Sequence, residues 1–344
     1  LSELGPGKAL TRAVRRRANL VSDRTATHNR IRALLELLGP AYLEVLGDGD
    51  YPKTALALLG HFGDPRTLRR LGKARLAAFL AKGSRGQWGQ AKAEQLLDAA
   101  AEAISLWEGG GMDFSELAWD LASEVRMAEA IDGELGALDR RIEDLYDKAD
   151  PERIVASAPA VGTTLAAGVL GRLGDARRFA NLAAVRSFSG MVPKTDQSGT
   201  AEGSPGITKA GDPGLRRDLW FAADGARKVD PQLAALYYRL VVERGLHHTS
   251  AVCHVATKLL TRMASCWRTQ QHYILRDTDG RGVTEAEGRE IVASCYGISE
   301  EVRRARRKTR KAREQKGRTG RRSEESTEAA PTLDPSALKT TREV

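Results

Sequence analysis

Residues 117–145 read LAWDLASEVRMAEAIDGELGALDRRIEDL. Their apolar members Leu117, Leu121, Val125, Ala128, Ile131, Leu135, Leu138, Ile142 and Leu145 recur in steps of three or four. A repeat near 3.5 residues keeps one stripe facing one way along a helix. The stretch therefore predicts one long helix with an apolar seam. Gly133 inside it weakens the helix by about 1 kcal/mol relative to Ala, which packing along the seam has to offset. Such a seam needs a partner. One candidate lies at the front of the chain, where Leu10, Val14, Val21, Ile31, Leu34, Leu35 and Leu38 recur at helical spacing until Gly39-Pro40 stops the pattern. A second subunit would serve as well.

Outward from this seam the chain continues to read as helix. Asp64-Pro65 is an N-cap followed by Pro at the first helical position. It opens a segment through Leu68, Leu71, Leu76 and Phe79 to Gly83. A further helix is predicted around Ala91–Trp107, closed by Gly109-Gly110-Gly111, a strong breaker. From Pro151 the texture changes. Short apolar helices are expected at Leu165–Leu173 and Asn181–Phe188, a restart at Asp212-Pro213, and two more helices around Gln232–Glu243 and Thr249–Arg268. No period-2 pattern suggests a strand, so the expected fold is mostly α. The expected organisation is a helical region over 1–150, a compact helical domain over 151–300 and a tail over 301–344.

The 344 residues include 54 Lys or Arg against 45 Asp or Glu, a net charge of +9. Between Arg303 and Arg322 there are twelve bases and one acid, whereas the end after Arg322 is net acidic. The body up to Val302 is left close to neutral. The tail has no apolar face and reads as a solvated arm, either solubilising or polyanion-binding. Arg12, Arg15, Arg16, Arg17, Arg24, Arg30 and Arg32 line the first helix, opposed by little nearby acid, and are read as the only other dense basic stretch. No apolar run approaches the roughly 20 residues needed to span a bilayer, and Leu1–Leu20 has no signal-peptide pattern. Cys253, Cys266 and Cys295 are an odd, sparse set, suited to a reducing cytoplasm rather than a disulfide scaffold.

Two apparent motifs fail on chemistry. Gly5-Pro6-Gly7-Lys8 lacks the first Gly, the Ser/Thr and the preceding strand of a phosphate loop. His247, His248, Cys253 and His254 have no metal-ligand spacing, since adjacent His residues point apart on a helix. The strongest site candidate is the long stretch Gly190–Pro213, rich in Gly, Ser, Thr and Lys and without apolar periodicity. Long loops inside compact domains are commonly functional or disordered. Ser198-Gly199 lies in it between Lys194 and Lys209, and Arg216 and Arg217 open the helix that follows. A helix N-terminus offers N–H groups and partial positive charge to phosphate, and arginines add charge-assisted donors. A serine beside that cradle could attack a phosphodiester. A flexible loop with scattered lysines is the alternative.

The segment Ile154–Arg268 resembles the C-terminal domain of the DEDD-type serine transposases of insertion sequences, relatives of the Piv DNA invertases, some of them guided by a bridge RNA. The resemblance is carried by Ala158-Pro159-Ala160-Val161-Gly162, Gly174-Asp175, Arg178-Phe179, Ser187-Phe188-Ser189-Gly190-Met191-Val192-Pro193, Gln197-Ser198-Gly199, Ile207-Thr208-Lys209-Ala210-Gly211 and Leu215-Arg216-Arg217-Asp218-Leu219, in family order and spacing. The Arg-rich first helix and the seam helix are similar to the family's coiled-coil linker. The resemblance implies that Ser198 is a nucleophile joining DNA through a phosphoserine bond. It implies nucleic-acid contacts from Lys194, Gly199, Lys209, Arg216, Arg217 and Gly162, the last in a helix-hairpin-helix-like turn whose family Gly is Ala160 here. Arg15, Arg16, Arg17 and Arg24 are expected, on charge alone, to contact nucleic-acid backbone. The implied partners are DNA, a structured guide RNA and a second copy of the chain through the coiled coil, with no membrane, in a bacterial cytoplasm close to the nucleoid. No cofactor is expected within this chain. The family's Mg2+ belongs to a RuvC-like DEDD domain that would precede Leu1, so the chain alone is expected to be inactive. The alternative expectation is a nucleic-acid-binding remnant without catalysis.

Overall fold

In the computed structural model, residues 6–47, 49–192, 207–302 and 304 are described. They form thirteen α-helices and no strand; one isolated bridge joins Arg276 and Gly282. The mostly α expectation holds. Two compact units emerge, one of Leu1–Arg153 with Ala166–Asp175, the other of Ile154–Leu165 with Ala176–Val344. The basic run Arg303–Arg322 lies, Arg304 apart, outside the described residues.

The first unit is organised by two long helices, α1 (Pro6–Leu38) and α7 (Phe114–Ala149). Leu117, Leu121, Val125, Ala128, Ile131, Leu138 and Ile142 are buried on α7, and Leu10, Val14, Ile31, Leu35 and Leu38 on α1. The helix facing the seam is thus α1 of the same chain. Ion pairs show the direction of packing. Arg17 meets Asp139, Arg24 meets Asp132 and Arg30 meets Glu124, so the partner number falls as the arginine number rises and the helices run antiparallel. Arg17 and Arg24 are seven residues apart, as are Asp132 and Asp139, which is the spacing that keeps charges flanking an apolar seam. Arg16 adds a looser pair with Glu134 at 3.5 Å.

Between the long helices lie α2 (Pro40–Leu46), α3 (Lys53–Phe62), α4 (Pro65–Leu71), α5 (Lys73–Gly83) and α6 (Gln90–Leu106). The sequence pattern missed α3, on which Thr54, Ala55, Leu56, Leu58 and Leu59 are all buried. Its start carries no capping signal: Pro52 stands at the N-cap and no side chain accepts from the first turn. The single segment expected from Asp64 to Gly83 is two helices, broken at Gly72, whose φ of 78° is open to glycine and strained for other residues. Asp64 caps α4 by accepting from the Arg66 amide at 2.8 Å. Ala166–Asp175, holding most of α8 (Thr163–Leu173), clusters with this unit rather than with the rest of 151–300. The reason is local: a Cβ on Gly171 would lie 3.0 Å from Val14 Cγ2 and 3.3 Å from Leu10 Cγ.

The second unit contains α9 (Leu182–Ser189), α10 (Pro213–Ala226), α11 (Pro231–Tyr238), α12 (His248–Thr269) and α13 (Glu285–Cys295). Two Asp-Pro pairs start its helices, at Asp212-Pro213 and Asp230-Pro231, each aspartate accepting from backbone amides. After α11 the chain makes a π turn over Arg239–Glu243. The unpredicted α13 begins with a reciprocal capping box between Thr284 and Glu287. Asp230 has no exposed surface. It accepts from the Leu233 amide at 3.0 Å, Arg262 Nη1 at 3.0 Å and Tyr273 Oη at 2.6 Å. Burial, and the nearby Asp230 carboxylate, push the Tyr273 phenol well above its ordinary range. Gln232 extends the network to Arg262 and to the Asp277 carbonyl, fastening the stretch after α12 to α11.

Removing one charge of a buried pair leaves the other uncompensated, at a cost of about 3 kcal/mol or more. Asp230→Asn should therefore lower unfolding free energy by about 3 kcal/mol in urea denaturation; a loss within about 0.5 kcal/mol would contradict this role.

Candidate functional site

Helix α9 leads to the site. Asn181 caps it, accepting from the Ala184 amide at 2.9 Å, and Gly190 ends it in the left-handed conformation, φ 65°. Arg178 lies against two rings, one just before this helix and one in its last turn, 4.2 Å from the centroid of Phe179 and 4.8 Å from that of Phe188. The rings meet edge to face at 5.2 Å. This cation–π cluster holds the start and end of α9 together, and so fixes where the chain leaves it.

The chain leaves at Gly190 and returns at the same place. Lys209 donates its amide to the Gly190 carbonyl at 3.1 Å, and Thr208 donates to the Val192 carbonyl at 3.0 Å. A Cβ on Gly211 would sit 2.2 Å from the Phe188 carbonyl oxygen and 2.7 Å from the Gly190 nitrogen; one on Gly190 would sit 2.4 Å from the Gly211 nitrogen. Two glycines back to back thus close the base of the loop. Arg216 fastens it, donating Nη1 to the Gly211 carbonyl at 2.6 Å and to the Ser189 carbonyl at 3.4 Å.

Against this geometry the expected site residues divide. Ser198, Gly199 and Lys194 lie outside the described residues. Lys209 is exposed, with a left-handed φ of 55°, beside the loop base. Arg216 is not a free phosphate donor; its guanidinium is turned onto backbone carbonyls. Arg217 is half exposed and pairs with the buried Asp218 at 3.3 Å. Nor is the start of α10 an open anion cradle. Pro213 has no N–H, and the Gly214 and Leu215 amides donate to the Asp212 carboxylate at 2.8 and 3.0 Å. The capping chemistry that starts the helix fills the positions that a phosphate would need.

Gly162 is exposed, with nothing within 4 Å of a Cβ placed there. In the preceding turn Ala160 adopts a φ of 57°, a conformation that costs a non-glycine residue roughly 1–2 kcal/mol. Its methyl meets α10: a Cβ on Gly225 would be 2.8 Å away. On α1, Arg17 and Arg24 are engaged by acids of α7, Arg24 also by Asp50 at 2.6 Å. This corrects the expectation of a bare basic face, because the neutralising acids lie about a hundred residues away in sequence. Arg15 is exposed and has no ion pair among the described residues.

His247 and His248 have local roles. His247 caps α12, its Nδ1 accepting from the Thr249 amide at 3.2 Å. His248 Nδ1 lies 2.8 Å from the Tyr237 hydroxyl. Burial and the neighbouring Arg227 lower the His248 pKa from its ordinary value, Asp224 opposing them.

Among its described residues the second unit is helical, and it brings together Val192 and Thr208, which stand on either side of residues 193–206. Its sequence says more. Residues 152–238 match the family described as Transposase IS116/IS110/IS902. The chain is similar to the 43.6 kDa protein of insertion element IS110 from Streptomyces coelicolor, 28% identical over 255 residues, covering 74% of this chain and 62% of that protein. It is similar to the 42 kDa protein of insertion element IS900 from Mycobacterium paratuberculosis, 31% identical over 260 residues, covering 75% and 63%. It is also similar to the 44.8 kDa protein of insertion element IS116 from Streptomyces clavuligerus, 27% identical over 242 residues, covering 70% and 59%. The chain thus spans less than two thirds of the length of these relatives.

The loop base supplies a direct test. Gly211→Ala should destabilise the protein by on the order of 3 kcal/mol, since the added carbon meets backbone. Gly162→Ala, into open space, should stay within about 0.5 kcal/mol. Equal effects in thermal denaturation would contradict the close approach at Gly211.

Proposed function

We propose that the chain is the serine-bearing part of a DNA transposase, and that Ser198 joins DNA through a phosphoserine bond. The observation that carries this reading is that the transposase match over 152–238 spans a loop closed at its base by Gly190 and Gly211. In the proposed step the Ser198 hydroxyl gives up its proton as its oxygen bonds to phosphorus, one P–O bond of the strand breaks, and the leaving strand oxygen takes up a proton to become a hydroxyl. One phosphate ester replaces another, so the reverse attack by a second strand hydroxyl rejoins DNA and releases the serine. No ATP is consumed. Lys209, exposed beside the loop base, is assigned to the phosphate oxygens, where a fixed cation stabilises charge developing in the transition state. Arg216 is assigned to holding the loop and not to the substrate.

The Mg2+ implied by the family resemblance has no home among the described residues. No group of three or more His, Cys, Asp or Glu is placed there to hold a metal. A structured guide RNA belongs to the same proposal as a second nucleic-acid partner.

The test uses the protein as its own genetic element encodes it, incubated with DNA bearing the element's ends. The wild type should form a denaturant-resistant DNA adduct that peptide mass spectrometry places on Ser198. Ser198→Ala should abolish adduct and strand joining, while DNA affinity by fluorescence anisotropy stays within about twofold, a change of less than 0.5 kcal/mol. Joining retained by the variant would assign the nucleophile elsewhere. Absence of joining by the wild type would reduce the chain to a nucleic-acid binder.

A further inference from the structure

The charge most open to a partner in the first unit lies on α4 and α5, not on α1. Residues 65–92 contain eight Lys or Arg and no acid: Arg66, Arg69, Arg70, Lys73, Arg75, Lys82, Arg85 and Lys92. The fold turns most of them outward for a simple reason. On α4, Pro65 and Leu68 are buried, and on α5 so are Leu76, Ala77 and Leu80, so the charged positions between them must face solvent. Arg69, Arg70, Arg75, Lys82 and Arg85 are exposed and have no acid partner among the described residues. Lys73 pairs with Glu94 at 3.0 Å, and Lys92 donates to the Val45 carbonyl.

The three arginines of α4 also share a concavity. Arg66, Arg69 and Arg70, with Asp64, Ile104 and Ser115, line an open hollow of about 670 Å³. Arg66 is held in place. It pairs with Asp64 at 2.9 Å, donates to Ser115 Oγ at 3.1 Å and lies 5.2 Å over the Phe114 ring. Its charge is largely met by Asp64, whose pKa is lowered despite burial by the hydrogen bonds from Arg66. Arg70 donates to Thr67 Oγ1 at 3.0 Å, a contact that orients the guanidinium without neutralising it. The hollow therefore presents two uncompensated guanidinium groups on a rigid helix, next to Arg75 at the start of α5.

We propose that this hollow and the adjoining face of α5 bind the sugar-phosphate backbone of nucleic acid, with Arg69 and Arg70 as the principal phosphate contacts. The proposal rests on the reading of the chain as a protein acting on nucleic acid. Guanidinium groups suit phosphate because their paired donors match two of its oxygens. A row of unpaired cations gains further by releasing condensed counterions. By contrast, Arg17, Arg24 and Arg30 already hold carboxylates, and binding phosphate there would require breaking those pairs.

The experiment measures affinity of the full chain for a fluorescein-labelled DNA duplex, and for an RNA duplex of the same sequence, across a range of salt. For B-DNA the slope of log K against log salt is about −0.9 per phosphate contact. The double variant Arg69→Gln/Arg70→Gln should shallow the DNA slope by about 1.8 and weaken binding by on the order of tenfold or more at low salt. Its melting temperature should not change, because both residues are exposed. A control of equal charge, Arg126→Gln/Arg140→Gln on the exposed side of α7, should leave slope and affinity near wild type. A loss on one duplex alone identifies DNA or RNA as the ligand; a loss on both supports the shared backbone chemistry. If wild type binds and the α4 variant behaves like the control, the site is refuted while the transposase reading stands. If wild type binds neither duplex, the nucleic-acid reading falls, and the site with it.

Discussion

Gly211 has no room for a side chain, and the close approach of the chain on either side of residues 193–206 depends on that fact. A carbon there would overlap the Phe188 carbonyl, so the outgoing and returning strands of the loop can touch only because both carry glycine at the crossing. The contact sets the rest of the site. Arg216 is drawn onto the carbonyls of Ser189 and Gly211, Lys209 is brought beside Gly190, and Asp212 starts α10 immediately afterward. Val192 and Thr208, on either side of residues 193–206, are therefore held together beside the end of α9.

A second constraint governs the first unit. The antiparallel pairing of α1 and α7 uses arginines on one helix and acids on the other, in matching seven-residue steps. Surface pairs of this kind contribute little stability each, but they fix which charges remain available. The arginines that look most conspicuous in the sequence are largely engaged, whereas the run on α4 and α5 is left open. Counting charge by local density overstates the first and passes over the second.

How much of this was legible in advance follows from where each signal is stored. The long helices, the Asp-Pro starts at Asp64 and Asp212 and the stop at Gly39 are written in local spacing and cap chemistry, and the structure places them where that chemistry points. Helix α3 is short and starts after Pro52 without a side-chain cap, so no start signal marks it. The break at Gly72 escaped because a single glycine is a weak punctuator. Of the residues that the sequence singles out at the loop, Lys209 is exposed, Arg216 lies on backbone carbonyls and Arg217 pairs with Asp218. The turn of Arg216 onto the Ser189 carbonyl could not be read locally, because it depends on the return of the chain to Gly190. The Ala160 turn shows the converse. A glycine expected from family resemblance is an alanine, and the structure still holds it at positive φ, with its methyl against Gly225.

The central claim is that DNA meets this protein at the loop closed by Gly190 and Gly211. Ultraviolet crosslinking of the full chain to bromodeoxyuridine-substituted DNA, followed by mass spectrometry of the adducts, tests it most directly. The account predicts crosslinks on peptides between Gly190 and Arg217, with Lys209 among them. Crosslinks confined to peptides outside that stretch, with none between Gly190 and Arg217, would contradict it.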